Sequence, residues 1–84
     1  MNSNNKIKLS ALIIARNEEK NLDSCLKTLL TINEIVVVLD RTTDNSINIA
    51  KKYNAKIYEG NWTSEGERRN LGISKCSNNW IFEI

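Results

Sequence analysis

The stretch from Glu34 to Asp44 has the sequence EIVVVLDRTTD and decides the fold of the chain. Its run of β-branched residues, Ile35 to Val38, is typical of a strand that is buried on both faces, as in a parallel sheet. The strand ends at a carboxylate, Asp40, and a polar turn leads into a helical pattern that begins at Asp44. Open α/β sheets build ligand sites in this way. The alternative is that Asp40 and Asp44 only shape the turn and cap the next helix.

The residues before this stretch predict one strand and one helix. Ile7 to Ile14 is apolar at every position of its second half, which indicates a central strand. Asn17 is a favourable N-cap, and apolar residues recur at helical spacing from Leu22 to Leu30. Met1 to Lys6 is polar and rich in asparagine, and we expect this segment to be disordered.

The residues after it continue the alternation. Asp44 to Tyr53 predicts a second helix, and Lys56 to Glu59 predicts a short third strand. Ser64-x-x-Glu67 has the spacing of a capping box, which predicts a third helix over 65–75. Trp80 to Ile84 begins a fourth strand. The order β-α-β-α-β-α-β, with helical crossovers, predicts an α/β fold with an open parallel Rossmann-like sheet.

The composition excludes several classes of function. Twelve Lys and Arg are balanced by ten Asp and Glu without a basic block, so no nucleic acid is expected as a partner. Without histidine, histidine-based catalysis and histidine metal ligands are excluded. Cys25 and Cys76 fit no metal spacing and are expected to be reduced thiols, with a disulfide as the minor alternative. With no apolar run of about 20 residues and no secretory signal, we expect a cytoplasmic location.

Polar side chains follow the first two strands, whose carboxyl ends should meet in one crevice. Asp40 can accept a hydrogen bond from a base or sugar there. Arg16 can lay its planar guanidinium over a ring, or pair with phosphate. Arg68 and Arg69 add two cations in the third helix, although a solvated helix face explains them more readily.

Four segments in order resemble the opening of the family-2 glycosyltransferases, which have the A-type glycosyltransferase fold. They are SALIIARNEE from Ser10, EIVVVLDRTTDNS from Glu34, IAKKYNAKIY from Ile49, and GERRNLG from Gly66 followed by NWIF. The local sequence is similar to bacterial transferases of lipopolysaccharide and surface-glycan biosynthesis. The resemblance implies the amino-terminal part of an enzyme that moves a sugar from a nucleotide-sugar donor, UDP-linked, to a glycan or lipid-linked acceptor.

The resemblance also implies nucleotide-binding residues. Ala15 and Arg16 occupy the turn that contacts the base, where an aromatic often stacks in the family, so that the Arg16 guanidinium would have to substitute. Asp40 matches the acid that hydrogen-bonds the base, and Leu39 stands where many members carry a first acid. Arg69 matches a basic residue near the nucleotide.

The family's Asp-x-Asp motif, expected directly after a strand such as Trp80 to Ile84, is not in this sequence. In the family it holds Mg²⁺ or Mn²⁺, which stabilises the leaving diphosphate. Glu83 is expected within the strand and cannot replace it. We therefore expect 7–84 to be a partial, truncated nucleotide-sugar-binding domain without catalytic or metal-binding residues. We expect these 84 residues to be inactive and to bind nucleotide weakly or not at all. We expect the complete enzyme to use Mg²⁺ or Mn²⁺ and to act at the inner face of the membrane.

Two other interpretations stay open. A non-catalytic remnant or partner-binding module would self-associate through an exposed strand at 80–84. A nucleotidyltransferase would usually carry a glycine-rich phosphate loop after the first strand, and 15–18 contains no glycine.

Overall fold

A computed structural model describes residues 7–17 and 19–84. The expectation of disorder for Met1 to Lys6 lies outside the described residues. The predicted order of elements is confirmed: β1 Ile7–Ala15, α1 Glu19–Lys27, β2 Ile32–Asp40, α2 Ser46–Lys52, β3 Lys56–Gly60, α3 Glu65–Lys75 and β4 Ile81–Glu83.

The strands form one parallel sheet in the order β3-β2-β1-β4. The register pairs Ala15 with Leu39 on β1 and β2, and it pairs Asp40 with Gly60 on β2 and β3. The carboxyl ends of these three strands therefore lie at one edge. The turns that follow them, beginning at Arg16, Arg41 and Asn61, share that edge.

Both faces of the sheet are covered, which explains the uninterrupted apolar run of β2. Val37 packs on the side of α1 and α2, where Leu22, Leu26 and Ala50 are buried. Val36 and Val38 pack on the side of α3. A Cβ built on Gly72 of α3 would lie 2.5 Å from Leu12 Cδ1, so glycine lets this helix approach the sheet closely.

Several predicted boundaries are corrected. The second helix begins at Ser46 rather than Asp44, because the Asp44 carboxylate accepts hydrogen bonds from Ser46 N and Ser46 Oγ at 3.0 and 2.6 Å. The first helix ends at Lys27, and Leu30, predicted on its apolar face, is 58% exposed in the turn beyond. The fourth strand spans only Ile81–Glu83.

The structure also describes the state of the cysteines and the character of the helices. Cys25 and Cys76 are free thiols, as expected. Within 7–17 and 19–84, no helix has the length and apolar character needed to cross a membrane.

Candidate functional site

The turns after β1 and β2 are tied together by Asn17. This residue has a left-handed backbone, with φ of 53°. Its side-chain Oδ1 accepts hydrogen bonds from Thr43 N at 2.8 Å and Asp44 N at 3.3 Å, and its own N–H donates to Thr42 Oγ1 at 3.4 Å. The Asn17 side chain thus contacts the neighbouring turn, and it fixes the spacing of the two turns. Its predicted role as the cap of α1 stays a prediction.

Asp40, the last residue of β2, is only 1% exposed. Its Oδ2 accepts from Arg68 Nη1 at 2.7 Å and Arg41 Nη2 at 3.3 Å. Its Oδ1 accepts from Arg41 Nε and from Trp62 N, both at 3.2 Å. A carboxylate offers about four acceptor positions. Donors from the described part of the chain therefore occupy all of them.

The surroundings of Asp40 keep it ionised. Burial by itself would raise the pKa of this carboxyl, but the hydrogen bonds from Arg68, the Trp62 N–H and Arg41 outweigh that effect and lower the pKa below its ordinary value. At neutral pH the edge of the sheet therefore holds a buried negative charge beneath arginine side chains.

A cavity of about 250 Å³ lies over this carboxylate. Its lining residues come from the ends of β1 and β2, from the loop after β3 and from the start of α3, namely Arg16, Asp40, Arg41, Trp62, Thr63, Ser64, Glu65 and Arg68. Arg16 and Asp40 are thus brought to one cavity, as expected from adjacent parallel strands. Arg41 also lines a second cavity of about 250 Å³, together with Leu39, Thr42 and Gly60 among others.

The other two predicted nucleotide-binding residues lie apart from the lining of this cavity. Ala15 is buried at the end of β1, 5% exposed. Arg69 pairs with Glu83, its Nε lying 2.7 and 2.8 Å from the two carboxylate oxygens. Glu83 is the last residue of β4 and not an interior one, which corrects the sequence-based placement. The nucleotide roles of Ala15 and Arg69 stay predictions.

The sequence patterns point to neither Arg41 nor Trp62, and the family resemblance favours Arg69 over Arg68. Trp62 brings its N–H to Asp40 because Gly60 leaves room for its ring: a Cβ on Gly60 would lie 2.9 Å from Trp62 Cη2. The Gly60-x-Trp62 pattern after a strand is a usable signal. Arg68 lies one helical turn after the Ser64 cap, which brings its side chain back toward the start of α3.

The described residues do not fit a divalent metal. Within 7–17 and 19–84, no group of three His, Cys, Asp or Glu side chains is placed to hold one. The carboxylates nearest this edge are already paired, Asp40 with two arginines and Glu83 with Arg69. No step of chemistry is therefore derived through a metal here.

The sequence matches a known family over most of its length. The family model described as "Glycosyl transferase family 2" covers residues 10–84. The chain belongs to glycosyl transferase family 2. Relatives include an uncharacterized glycosyltransferase of Rickettsia conorii, 31% identical over 100% of this chain, and the lipopolysaccharide core biosynthesis glycosyltransferase LpsC of Rhizobium meliloti, 32% identical over 94% of it. The chain spans 30% and 31% of the lengths of these two relatives.

The fold of this family-2 chain is similar to that of glucosyl-3-phosphoglycerate synthase from Mycobacterium tuberculosis. The TM-score is 0.77 at 19% identity, over 92% of this chain and 32% of the synthase. That structure contains Mn²⁺, UDP and glucosyl-3-phosphoglycerate. The likeness shows the fold, an α/β parallel sheet of the A-type glycosyltransferases, and confirms the expectation from the sequence.

Proposed function

We propose that this family-2 chain binds the nucleotide of a sugar-nucleotide donor, a UDP-sugar, in the cavity over Asp40. The complete enzyme transfers the sugar to a glycan or lipid-linked acceptor. The observation that carries the proposal is the convergence of Arg16, Asp40 and Arg68 on one cavity at the carboxyl edge of a parallel sheet. Ligands of open α/β sheets bind at this edge.

The charges of the cavity suit a nucleoside diphosphate. Three arginines line it, against the carboxylates of Asp40 and Glu65, so its formal balance is positive. Arg16 is exposed at the turn after β1, where its planar guanidinium can stack on a base or pair with a phosphate. Asp40 is the acceptor for a base N–H. The UDP in the synthase structure supports the choice of uracil.

We also propose a metal requirement and a cellular location for the complete enzyme. The Mn²⁺ of the synthase structure supports a role for Mg²⁺ or Mn²⁺ in the complete enzyme. No described residue of this chain is assigned to the metal or to catalysis, so we expect no turnover of nucleotide-sugars by these 84 residues. The relationship to the lipopolysaccharide core biosynthesis glycosyltransferase LpsC supports work on cell-envelope glycans. We propose that the complete enzyme does this work in the cytoplasm, at the inner face of the membrane.

Titration with UDP tests the proposal. We expect weak binding that is visible at millimolar UDP by calorimetry or by NMR shifts, and Asp40→Ala should abolish it. Glu34→Gln, at the opposite end of β2, is the matched control and should bind as the unaltered chain does. Unchanged binding by Asp40→Ala would contradict the site. Turnover of any nucleotide-sugar would contradict the assignment of no catalytic residue.

A second candidate function is a module that pairs with a second copy of itself through β4. Apolar side chains around this edge strand are exposed: Trp80 77%, Phe82 52% and Ile84 50%. An unprotected edge with apolar side chains favours pairing with another strand. Light scattering over a range of concentrations decides the question, since a monomer throughout argues against this candidate.

A further inference from the structure

Arg41 is held in an unusual way at the centre of the site. It has a left-handed backbone, with φ of 52°, which is uncommon for a residue other than glycine. Its guanidinium reaches the Asp40 oxygens at 3.2 and 3.3 Å, whereas that of Arg68 reaches them at 2.7 Å. The Arg41 side chain is 46% exposed, and that of Arg68 is 20% exposed. Of the two arginines, Arg41 is the one that can leave.

We propose that Arg41 is a specificity-determining residue, which occupies the Asp40 carboxylate in the ligand-free chain and is displaced from it by a uracil base. This inference rests on the proposed function and adds to it. The acceptor positions of Asp40 are filled by donors from Arg41, Trp62 and Arg68. A base N–H can therefore reach Asp40 only if one donor withdraws.

Geometry selects Arg41 as the donor that withdraws. Trp62 donates from its backbone and is held in place by its ring over Gly60. Arg68 makes the shortest of these contacts from a mostly buried side chain. An exposed arginine with long contacts loses little by moving into water. Because Arg41 lines both cavities of about 250 Å³, its departure also opens the space between them.

Displacement of Arg41 affects which base the cavity binds. Uracil presents an N3–H donor, whereas the N3 of cytosine is an acceptor. With Arg41 in place, the cavity offers guanidinium donors; with Arg41 withdrawn, it offers a carboxylate acceptor. Removal of the Arg41 side chain should therefore favour UDP over CDP. The freed carboxylate can accept the N3–H of uracil, whereas it would face an acceptor at N3 of cytosine, whose own donor is the exocyclic N4 amino group.

The test is a titration of the 84-residue chain with UDP and CDP, followed by two-dimensional NMR, in three variants. Arg41→Ala removes the side chain and keeps a Cβ on the left-handed backbone. Arg41→Gly also removes the backbone strain. Asn54→Gly is the control, because Asn54 has φ of 59° in the turn before β3, at the opposite edge of the sheet.

We expect Arg41→Ala to bind UDP about 2- to 5-fold more tightly, the gain that follows from removing an exposed ion pair, with CDP affinity unchanged or lower. Arg41→Gly should show the same gain, and Asn54→Gly none. Unchanged or weaker UDP binding by Arg41→Ala, while the unaltered chain binds UDP, overturns this inference and leaves the proposed function standing. Absence of UDP shifts in every variant overturns both. An equal gain for CDP overturns the role in specificity.

Discussion

Strand β2 carries two buried carboxylates on the same face of the sheet, Glu34 near its amino end and Asp40 at its carboxyl end. Glu34 is 8% exposed and Asp40 is 1% exposed. Within the described residues, each carboxylate accepts from four donor atoms. Each also lines a cavity, of about 340 Å³ at Glu34 and about 250 Å³ at Asp40. Burial, charge and cavity size therefore do not distinguish the two ends.

The donors do distinguish them. Glu34 accepts from Ser10 Oγ and Ser77 N at 2.6 Å, from Ser77 Oγ at 2.8 Å, and from Lys56 Nζ. These groups join β1, β3 and the loop after α3 to β2. Asp40 is held by one short contact, from Arg68, and by three longer than 3 Å. The hydrogen bonds of Glu34 join β2 to its neighbours and leave no place for a ligand, whereas Asp40 has donors that a ligand can replace.

The pKa of Glu34 reflects these hydrogen bonds. Burial alone would raise it, but the hydrogen bonds from Lys56, Ser10 and Ser77 outweigh burial and lower the pKa to about 2. A buried acid beside a cavity therefore marks a ligand site only where a ligand can replace its hydrogen-bond donors.

The largest expected effect is a loss of folding stability when Glu34 is replaced. Glu34→Ala leaves the buried hydroxyl of Ser10 and the donors of Ser77 without their acceptor, and should lower the free energy of unfolding by about 3 kcal/mol. Glu34→Gln, which keeps the shape, should lose less and provides a folded variant. Urea unfolding measures both. Glu83→Ala, which breaks the exposed pair with Arg69, is the control and should cost less than about 1 kcal/mol. Equal losses at Glu34 and Glu83 would contradict the role of Glu34 in joining β2 to its neighbours.

Low pH should also reduce the contribution of Glu34 to the free energy of unfolding. Because the folded pKa of Glu34 is about 2, below its ordinary value, its contribution is present at neutral pH and is lost as pH falls. Between about pH 5 and pH 2 the unaltered chain should lose about 2 kcal/mol through this group. Urea unfolding at both ends of that window should show a shallower loss for Glu34→Gln. Part of the slope should remain, since the pKa values of Asp23 and Asp40 are lowered as well. Identical slopes would contradict the assignment.

The smallest expected effect separates the two neighbouring arginines of α3. Arg68→Ala removes the mostly buried donor that holds the Asp40 carboxylate in place when Arg41 withdraws, and it should weaken UDP binding about 10-fold, as expected for loss of a charged hydrogen-bond donor. Arg69→Ala should weaken it less, because the Arg69 side chain pairs with Glu83 instead. NMR titrations of both variants under the same conditions provide the comparison. A larger loss for Arg69 would favour the role that the family resemblance gives to that residue.

The sequence predicted what depends on local pattern and missed what depends on distant partners. The buried strand at 35–38 and the Ser64 cap are local signals, and both are confirmed by the structure. The choice between Arg68 and Arg69 depends on the rotation of α3 about its axis. Close packing of Gly72 on Leu12 helps to set that rotation, and the sequence does not show it.

Contacts with distant parts of the chain also explain why the sequence did not predict the conformation of the turns. An asparagine before a helix normally predicts a cap, but the Asn17 side chain contacts a turn that lies 26 residues later in the chain. The left-handed backbone of Arg41 has no sequence signal either, because arginine rarely adopts it. Both features lie in the turns at the carboxyl edge of the sheet, where partners distant in the sequence set the conformation.

A map of amide shifts when UDP is added to the chain shows which edge of the sheet binds the nucleotide. We expect the shifts to concentrate at the carboxyl edge, at Arg16, Arg41, Trp62 and Arg68, and we expect Asn33, Glu34 and Ser77 at the amino edge to stay unchanged. Shifts centred on the Glu34 end, or spread equally over both edges, would contradict the proposed site.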